Sequence, residues 1–495
     1  MKKAKSLSAE EDFSETKVQA GMRGVLQDGL TTQAMLTLTG GAFLVDFALL
    51  LGASNALIGV LAAIPFLAQL VQVPAIYLVE KYRARRRLCV YTSSLARISL
   101  LLIASIPFFL HGAAAIVTLT LCLLLYAVFG ALSGCSWNSW MRDLLPQDRL
   151  GAFFAKRMGL MAAFGVVLNL AAGFYITWFE QHFEAHKLLG YSALFLLGAS
   201  AGLLGVYIIS TIPEPRMAPR VSHEPLARLL RSPLQDKNFQ RLLKFQGAWH
   251  FAINLAAPFF TVYMLKTLAL DMRLIIALQV LSQMMNLLFF FLWGKISDRF
   301  SNKSVLRVCG PIYLVCIFVF TFTTLPGKYV LTVPLLVLIH LLMGVATAGV
   351  TLATGNISLK LAPKGQATAY LALNGLVNSV AAGVAPILGG NFVDRLEGYA
   401  LSWTLKWQSP GGLISFETLD LQHWDFFFIL ACLLGLYAMH RLAKVKELGE
   451  VEEEIVILEL IAEARRIMLS LSTFAGLRNA LLFPFSLWDD ASKQK

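Results

Sequence analysis

The residues of this sequence with the clearest capacity for chemistry are ionisable side chains inside long apolar stretches. Four are prominent: Asp46, Arg97, His250 and His340. Such groups are costly in hydrocarbon and usually face the interior of a helix bundle, where they bind ions, protons or polar solutes. A histidine there can titrate near neutral pH and carry a proton. Each group also has a structural interpretation, as a carboxylate near a water interface or as a hydrogen-bond partner between helices.

Arg97 has two possible functional roles, because it could neutralise Asp46 or attract an anionic solute. Amides accompany these groups at helical spacing: His250 and Asn254 are four residues apart and therefore share one helix face. One such amide is explained by a bond between helices, but the set predicts a neutral, hydrogen-bonding cavity. The predicted solute or ion pathway comprises Asp46, Gln69, Arg97, His250, Asn254, Gln283, Asn286, His340, Asn374 and Asn378.

The elements that must position these residues follow from composition. Hydrophobic residues make up 57% and charged residues 15% of the 495 residues, and the mean hydropathy is +0.66. A soluble domain has roughly 45–50% apolar and about 25% charged residues. The apolar residues occur in continuous blocks of about 20, the length of a helix that crosses a bilayer. The sequence therefore predicts an all-α membrane protein with many spans.

Twelve apolar windows predict twelve spans, six on each side of a basic, proline-containing stretch. The windows are 30–51, 56–79, 88–110, 113–136, 158–179 and 188–212, followed by 245–267, 271–293, 304–326, 330–355, 366–393 and 425–443. This pattern divides the chain into an N-terminal segment 1–27, a first half 28–212, a linker 213–244, a second half 245–444 and a C-terminal extension 445–495. Glycines at 40–41, 130, 134 and 389–390 predict close helix crossings.

The net charge of +12 is explained by the position of the basic residues in the connections between spans, so we expect no nucleic-acid partner. Of the 42 Lys and Arg residues, 35 lie in the termini, the linker and the connections on the same side, and six lie in the opposite connections. Positive charge marks the cytoplasmic side of membrane proteins. We therefore expect both termini and the linker to be cytoplasmic.

The two halves repeat each other. A shift of 218 positions places Glu80 on Asp298, Arg85 on Lys303 and Leu88 on Leu306. A shift of 217 positions places Pro146 on Pro363 in a second connection. Parallel repeats with a binding site between them are the architecture of many secondary transporters.

The connection after the eighth span reads GKISDRFSNK from Gly294 to Lys303. It resembles the cytoplasmic loop pattern G-x-x-x-D-R-x-x-x-(K/R) of the major facilitator superfamily, and the resemblance covers about residues 20–445. The first half departs from the pattern, with Ile76 and Glu80 in place of the glycine and the aspartate. The stretch 137–157 is similar to the loop between spans four and five of some bacterial members.

The resemblance implies a cytoplasmic gate. A carboxylate at a span's end can occupy the N-terminus of a helix of the opposite half, where free N–H groups and the helix dipole favour negative charge. Basic side chains nearby would pair with acids or helix C-termini, and these contacts would break as the halves rock apart. The predicted gate residues are Glu80, Arg85, Asp143, Arg149, Gly294, Asp298, Arg299 and Lys303.

The sequence thus predicts a monomeric secondary transporter of a small solute in the lipid of the bacterial inner membrane, with Asp46, His250 or His340 as candidate groups for coupling to protons. Two alternatives are an exporter of lipophilic drugs and a non-transporting binding protein. No nucleotide-binding, hydrolase or metal-ligand motif is present, and the six cysteines have no CxxC spacing, so we expect no enzyme activity, cofactor or metal. The stretch 451–469 predicts an amphipathic helix.

Overall fold

A computed structural model describes residues 15–145, 150–215, 217, 231–324, 329–363, 367–409 and 412–471. Within these ranges, eleven helices are long and apolar enough to cross a membrane. A bent pair, Asn55–Val71 followed by Pro74–Tyr82, gives a twelfth span if it counts as one. Helices dominate because each one satisfies its own backbone hydrogen bonds where water is absent. The predicted helical membrane fold is confirmed.

The helices before the linker form the first six predicted spans. The first span is broken at Gly40, and Gly41 has a positive φ of 56°, which favours glycine. Residue 28, predicted to open the first half, lies in the middle of helix α1. The bounds are α1 Glu15–Thr39, α2 Gly41–Leu50, α3 Asn55–Ala68, α4 Gln72–Tyr82, α5 Arg85–Phe109, α6 Gly112–Leu144, α7 Leu150–His182 and α8 Lys187–Thr211.

The helices after the sixth span follow the same plan with two extra helices, Arg231–Gln235 inside the predicted linker and another in the C-terminal extension; the seventh span also begins inside that linker, at Lys237. Their bounds are α9 Arg231–Gln235, α10 Lys237–Lys266, α11 Met272–Arg299, α12 Asn302–Val319, α13 Thr332–Leu361, α14 Ala367–Arg395, α15 His423–Ala443 and α16 Glu453–Leu471. Helix α16 confirms the amphipathic helix predicted at 451–469.

The chain forms two compact units. The first unit comprises Met1–Ala53, Ile64–Ser222 and Ser470–Lys495, and the second comprises Ser54–Ala63 and His223–Leu469. The change from one unit to the other after the sixth span falls inside the predicted linker. The start of α3 is the exception, since it groups with the helices that follow the linker.

Helix packing inside each unit repeats. In the first unit α1 packs on α7 and α8, α5 packs on α6 and α8, and α4 packs on α6. In the second unit α10 packs on α14 and α15, α12 packs on α13 and α15, and α11 packs on α13. These are the same pairs when the spans of each half are counted from one to six. The predicted internal repeat is therefore present in the packing as well as in the sequence.

A β-hairpin interrupts the helical pattern and was not predicted. Strand β1, Ala400–Ser409, pairs antiparallel with β2, Gly412–Gln422, with an irregularity after Trp403. A signal was present, because apolar side chains alternate at Leu401, Trp403, Leu405 and Trp407, the period of a strand. All four are exposed.

The predicted close helix crossings occur only at some glycines. A side chain on Gly390 would overlap the backbone of Asn55, and one on Gly389 would lie 2.9 Å from the Leu255 carbonyl oxygen. At Gly130 and Gly134 a side chain would meet no described atom within 4 Å, so these two positions do not mark a crossing.

Candidate functional site

A buried ionic cluster lies among the spans of the first unit. Asp28 on α1 is 3% exposed, and its Oδ2 lies 3.6 Å from Arg157 Nη2 on α7. Arg157 Nε also donates to the Val25 carbonyl oxygen at 3.2 Å, and Thr32 Oγ1 donates to Asp28 Oδ1 at 3.3 Å. Arg97, buried on α5, acts electrostatically on the same carboxylate. One acid and two bases therefore occupy one region.

Two glycines leave space for the arginines of this cluster, and an aromatic ring packs on one of them. A side chain on Gly29 would lie 2.9 Å from Arg157 Nε, and one on Gly202 would lie 2.9 Å from Arg97 Cγ. The Arg157 guanidinium carbon lies 5.0 Å from the centre of the Trp137 ring, within the range of a cation–π interaction. These contacts hold Arg157 against α1 and α6 and Arg97 against α8.

The cluster can do two kinds of chemistry. With all three groups ionised it carries one net positive charge, which is unfavourable in a low dielectric unless an anion or a further acid compensates it. Protonation of Asp28 would remove the partner of Arg157 and free that guanidinium for another oxygen ligand. The cluster is thus suited to bind an anionic group on Arg157 when Asp28 carries a proton.

Sequence reasoning missed Asp28 because the first span was predicted to start at residue 30. The structure extends the helix back to Glu15, so Asp28 lies inside a candidate span, Lys17–Leu50. Its partner Arg157 was counted as part of a basic connection. An acid and an arginine close to apolar windows were the available signal.

Asp46 lies in α2, away from the partner suggested by the sequence. Its carboxylate accepts a hydrogen bond from the Tyr191 hydroxyl on α8, and the same hydroxyl lies 3.4 Å from Glu180 Oε1 on α7. Lys187 acts electrostatically on Asp46. Among the described residues, the partners of Asp46 are Tyr191 and Lys187, and the charge of Arg97 acts on Asp28.

The two predicted histidines have different surroundings in the second unit. His340 is buried on α13, with Nδ1 2.8 Å from the Leu336 carbonyl oxygen of its own helix. His250 is partly buried on α10, and no described residue hydrogen-bonds to its ring. Asn254 donates to the His250 carbonyl oxygen at 2.8 Å, so its amide hydrogen bond is local.

One of the predicted amides, Asn374, belongs to a hydrogen-bond network in the second unit. Asn374 Nδ2 on α14 donates to Ser358 Oγ on α13 at 3.1 Å. Gln246 on α10, which the sequence did not single out, donates to the Thr354 carbonyl oxygen at 2.8 Å and contacts the same Ser358 hydroxyl at 3.3 Å. This network joins three helices of the second unit.

The remaining predicted pathway amides make few described contacts. Gln69 lies in the first unit, 3.4 Å from the Pro65 carbonyl oxygen. Gln283 and Asn286 are partly exposed on α11, where the described residues offer them no hydrogen bond. The buried Oδ1 of Asn378 likewise has no partner among the described residues.

The predicted gate residue Arg85 is fully buried at the start of α5. Its backbone N–H donates to Glu214 Oε1 at 2.7 Å, and its guanidinium donates to Asp143 and to the carbonyl oxygens of Ser139 at 2.9 Å and Pro215 at 2.7 Å. All these partners belong to the first unit. Glu80 is partly buried at the end of α4, and Arg149 lies outside the described residues.

Lys303 has the equivalent position at the start of α12. Its Nζ donates to the Val445 carbonyl oxygen at 2.6 Å and to Glu450 at 2.9 Å. Glu447 accepts from the backbone N–H groups of Asn302 at 3.3 Å and Lys303 at 2.8 Å. In both units, therefore, a glutamate that follows the sixth span caps the helix of the third span beside a buried base.

The rest of the predicted gate lies at the end of α11. Arg299 pairs with Glu459 of α16, and Gly294 lies next to Leu352. Asp298 is exposed and no described residue pairs with it. The described partners of Arg85, Asp143, Arg299 and Lys303 all belong to the same unit as the residue they bind, so these contacts stabilise each unit internally, and the gating role of these residues stays a prediction.

A carboxylate at a helix N-terminus does occur, but at the other end of the spans. Asp394, at the end of α14, accepts hydrogen bonds from the backbone N–H groups of Asn55 at 3.2 Å and Ala56 at 2.7 Å, at the start of α3. Lys266 Nζ lies 3.3 Å from Asn55 Oδ1. A side chain on Gly59 would overlap the Pro386 carbonyl oxygen. Sequence reasoning missed this contact because residues 55 and 394 lie on opposite sides of the linker.

Comparison with known proteins gives a consistent result. The sequence matches the model of the Major Facilitator Superfamily over residues 29–386 and again over 250–487. No curated protein matches it. The fold is similar to a variant of the nucleoside transporter NupG, with a TM-score of 0.64 and 13% identity over 87% of this chain and 100% of that chain.

Two further solved structures share the fold at similarly low identity. One is a bacterial homologue of the iron transporter ferroportin, with a TM-score of 0.59 and 13% identity over 88% of this chain and 99% of that chain. The other is a bacterial homologue of the human lysosomal transporter Spinster, with a TM-score of 0.57 and 14% identity over 92% of this chain and 98% of that chain.

Proposed function

Since the chain belongs to the Major Facilitator Superfamily, and is therefore a membrane transporter rather than an enzyme, we propose that it moves a small solute by alternating access with Asp28 and Arg157 at the centre of its transport pathway. The observation that carries this proposal is the buried ionic cluster. Charges inside spans are expensive and mark ion or solute pathways. The cluster is positioned by α1, α5 and α7, which belong to three of the first six spans.

The chemistry of the cluster favours a solute with an anionic group, carried together with a proton. Ionised Asp28 holds Arg157, and a proton on Asp28 releases it. An anionic oxygen can then take the place of the carboxylate on the guanidinium, which presents several N–H donors in one plane. The proton and the anion therefore bind together and leave together, which is the requirement for coupled transport.

Alternating access needs a contact that closes one end of the pathway and can be broken. The Asp394 cap on α3 supports this part of the proposal, because it consists of two hydrogen bonds to a helix end that water could satisfy equally well. We further propose that the linker and both termini are cytoplasmic, from the distribution of Lys and Arg.

The solute must be identified before transport can be tested. Purified protein in detergent is screened by thermal shift against organic anions, sugars, amino acids, nucleosides, organic cations and drugs. A ligand at 100 times its dissociation constant stabilises the folded state by about 2.7 kcal/mol if it binds only that state. The proposal expects the stabilising ligands to be anions. Stabilisation confined to lipophilic cations would contradict it.

The Asp28→Asn variant then tests coupling in proteoliposomes. We expect it to lose accumulation driven by a proton gradient and to retain exchange of labelled solute, because asparagine cannot carry the proton. Asp46→Asn, His250→Gln and His340→Gln are the matched controls, since these residues were the coupling groups predicted from the sequence. Normal accumulation by Asp28→Asn, with loss in one of the controls, would transfer the role to that residue.

A further inference from the structure

Helix α16, in the C-terminal extension, is bound to the second unit through one acidic face. Glu459 pairs with Arg299 and Glu463 Oε1 lies 2.5 Å from Lys295 Nζ, both on α11. Arg307 Nε on α12 lies 2.9 Å from Glu453 Oε1. Val456, on the same side of α16, is fully buried. Charge complementarity therefore fixes which face of α16 contacts the protein.

The ion pairs also give the direction of α16. Residues 459 and 463 are four apart on α16, and their partners 299 and 295 are four apart on α11 in the reverse order. Both spacings are one helical turn. Helix α16 therefore runs antiparallel to α11, from the end of α11 towards the middle of that span.

The face of α11 that carries Arg299 and Lys295 becomes apolar and exposed farther into the span. Leu288 and Met284 lie seven and eleven residues before Lys295, at helical spacing, and are 57% and 56% exposed. More than half of the surface of each side chain is thus left open by the described part of the chain, and their apolar character fits lipid rather than water. The antiparallel course thus carries α16 towards the lipid-facing surface of α11.

The opposite face of α16 carries an exposed apolar stripe. Ile457, Leu458 and Ile461 form a stripe one turn long, with Leu458 67% and Ile461 59% exposed. An amphipathic helix of this kind buries its apolar side in the boundary between headgroups and acyl chains. We propose that α16 is a membrane-surface helix, held to α11 and α12 by ion pairs and inserted through this stripe into the leaflet on the linker side.

Electron paramagnetic resonance on the full chain in lipid vesicles tests the proposal. Nitroxides are attached at Leu458→Cys, at Ile461→Cys and, as a control before the helix, at Glu452→Cys, in a background whose six native cysteines are replaced and whose elution is monodisperse. We expect collisions with oxygen to dominate at positions 458 and 461 and collisions with a water-soluble nickel complex to dominate at 452. Nickel collisions at 458 and 461 would overturn the proposal, and so would spin–spin broadening there, which would indicate a second copy of the chain.

The role of the ion pairs between α11 and α16 is tested by reversing their charges. Lys295→Glu with Arg299→Glu should shift positions 458 and 461 from oxygen towards nickel collisions. Adding Glu459→Lys with Glu463→Lys should restore the oxygen preference. A preference that does not change in the first variant overturns the role of the ion pairs. Neither experiment depends on the identity of the solute.

Discussion

At the scale of single residues, the molecule holds its buried bases in place with carboxylates from distant parts of the chain. Arg85 and Lys303 begin the third helix of their halves, where the first N–H groups have no helical partner. Glu214 and Glu447 satisfy those N–H groups, and Glu214 also lies 3.6 Å from the Arg85 guanidinium. The Glu214 carboxylate thus accepts a hydrogen bond from a helix N-terminus and also pairs with the charge of a buried base.

Removal of the buried acid should therefore cost more than removal of the exposed one. Glu214→Gln leaves Arg85 with a weakened partner in a buried site and should lower the free energy of unfolding by about 3 kcal/mol. Asp143→Asn removes a carboxylate that is 39% exposed, with a cost of about 1 kcal/mol or less. Thermal unfolding in detergent gives the order of the two variants. A larger loss in Asp143→Asn would contradict this account of Arg85.

At the scale of elements, a glycine pair interrupts the first span, and the C-terminal extension is attached to the start of α12. Gly40 and Gly41 break the first span, so α2 places Asp46 beside Tyr191 independently of α1. The C-terminal extension is bound by Glu450 as well as by Glu447, because Lys303 contacts Glu450 Oε2 at 2.9 Å. These contacts connect the start of α12 to the segment that leads into α16.

The attachment of this segment should weaken in acid. Burial raises the pKa of Glu450, but hydrogen bonds from the Glu447 backbone and from Lys303, with the charges of Lys303 and Arg307, outweigh burial and place it below its ordinary value. Ionised Glu450 therefore stabilises the fold above the ordinary glutamate pKa of about 4.3, and this contribution is lost as pH falls through the lower folded value.

The measurement is the difference in melting temperature between the natural chain and Glu450→Gln as a function of pH. The difference should be constant near neutrality and should shrink below about pH 4. Glu452→Gln, at an exposed position in the same segment, is the matched control and should show no such change. A difference independent of pH down to acid denaturation would refute the role of Glu450.

At the scale of the whole molecule, the packing repeat and the α3 contact describe a transporter built from two similar sets of helices. The start of α3 packs on α14 through Asp394, Gly59 and Gly390, with no room for a side chain at either glycine. Interdigitated surfaces do not deform gradually, so the proposed transport cycle would require this contact to be either formed or broken.

Loss of the cap should favour the state in which this contact is open. Asp394→Ala removes both hydrogen bonds to α3, an effect of about 1 kcal/mol, or roughly five-fold in the population ratio. Nitroxides at Ser54→Cys and Glu397→Cys, both exposed positions, report the separation by double electron–electron resonance. The fraction at long distance should rise in Asp394→Ala and stay unchanged in the control Asp271→Asn. Identical distance distributions would show that Asp394 does not hold the contact.

The sequence by itself determined the membrane-spanning fold, the internal repeat and the family. Hydropathy is a local property, so a window of about 20 apolar residues identifies a span without knowledge of its neighbours. The offset that aligns Arg85 with Lys303 was equally readable, and both residues occupy equivalent positions. The alternation from Leu401 to Trp407 could have indicated the hairpin.

Only the tertiary structure decided which charges meet. Asp28 and Arg157 are 129 residues apart, and Asp394 and Ala56 are 338 apart, so no spacing rule connects them. For Arg97 the sequence offered the acid inside the first window as one possible partner, whereas Asp28 lay two residues before that window and was not considered. Pairing of buried charges depends on distance in space and on the loss of water, and both arise from helix packing.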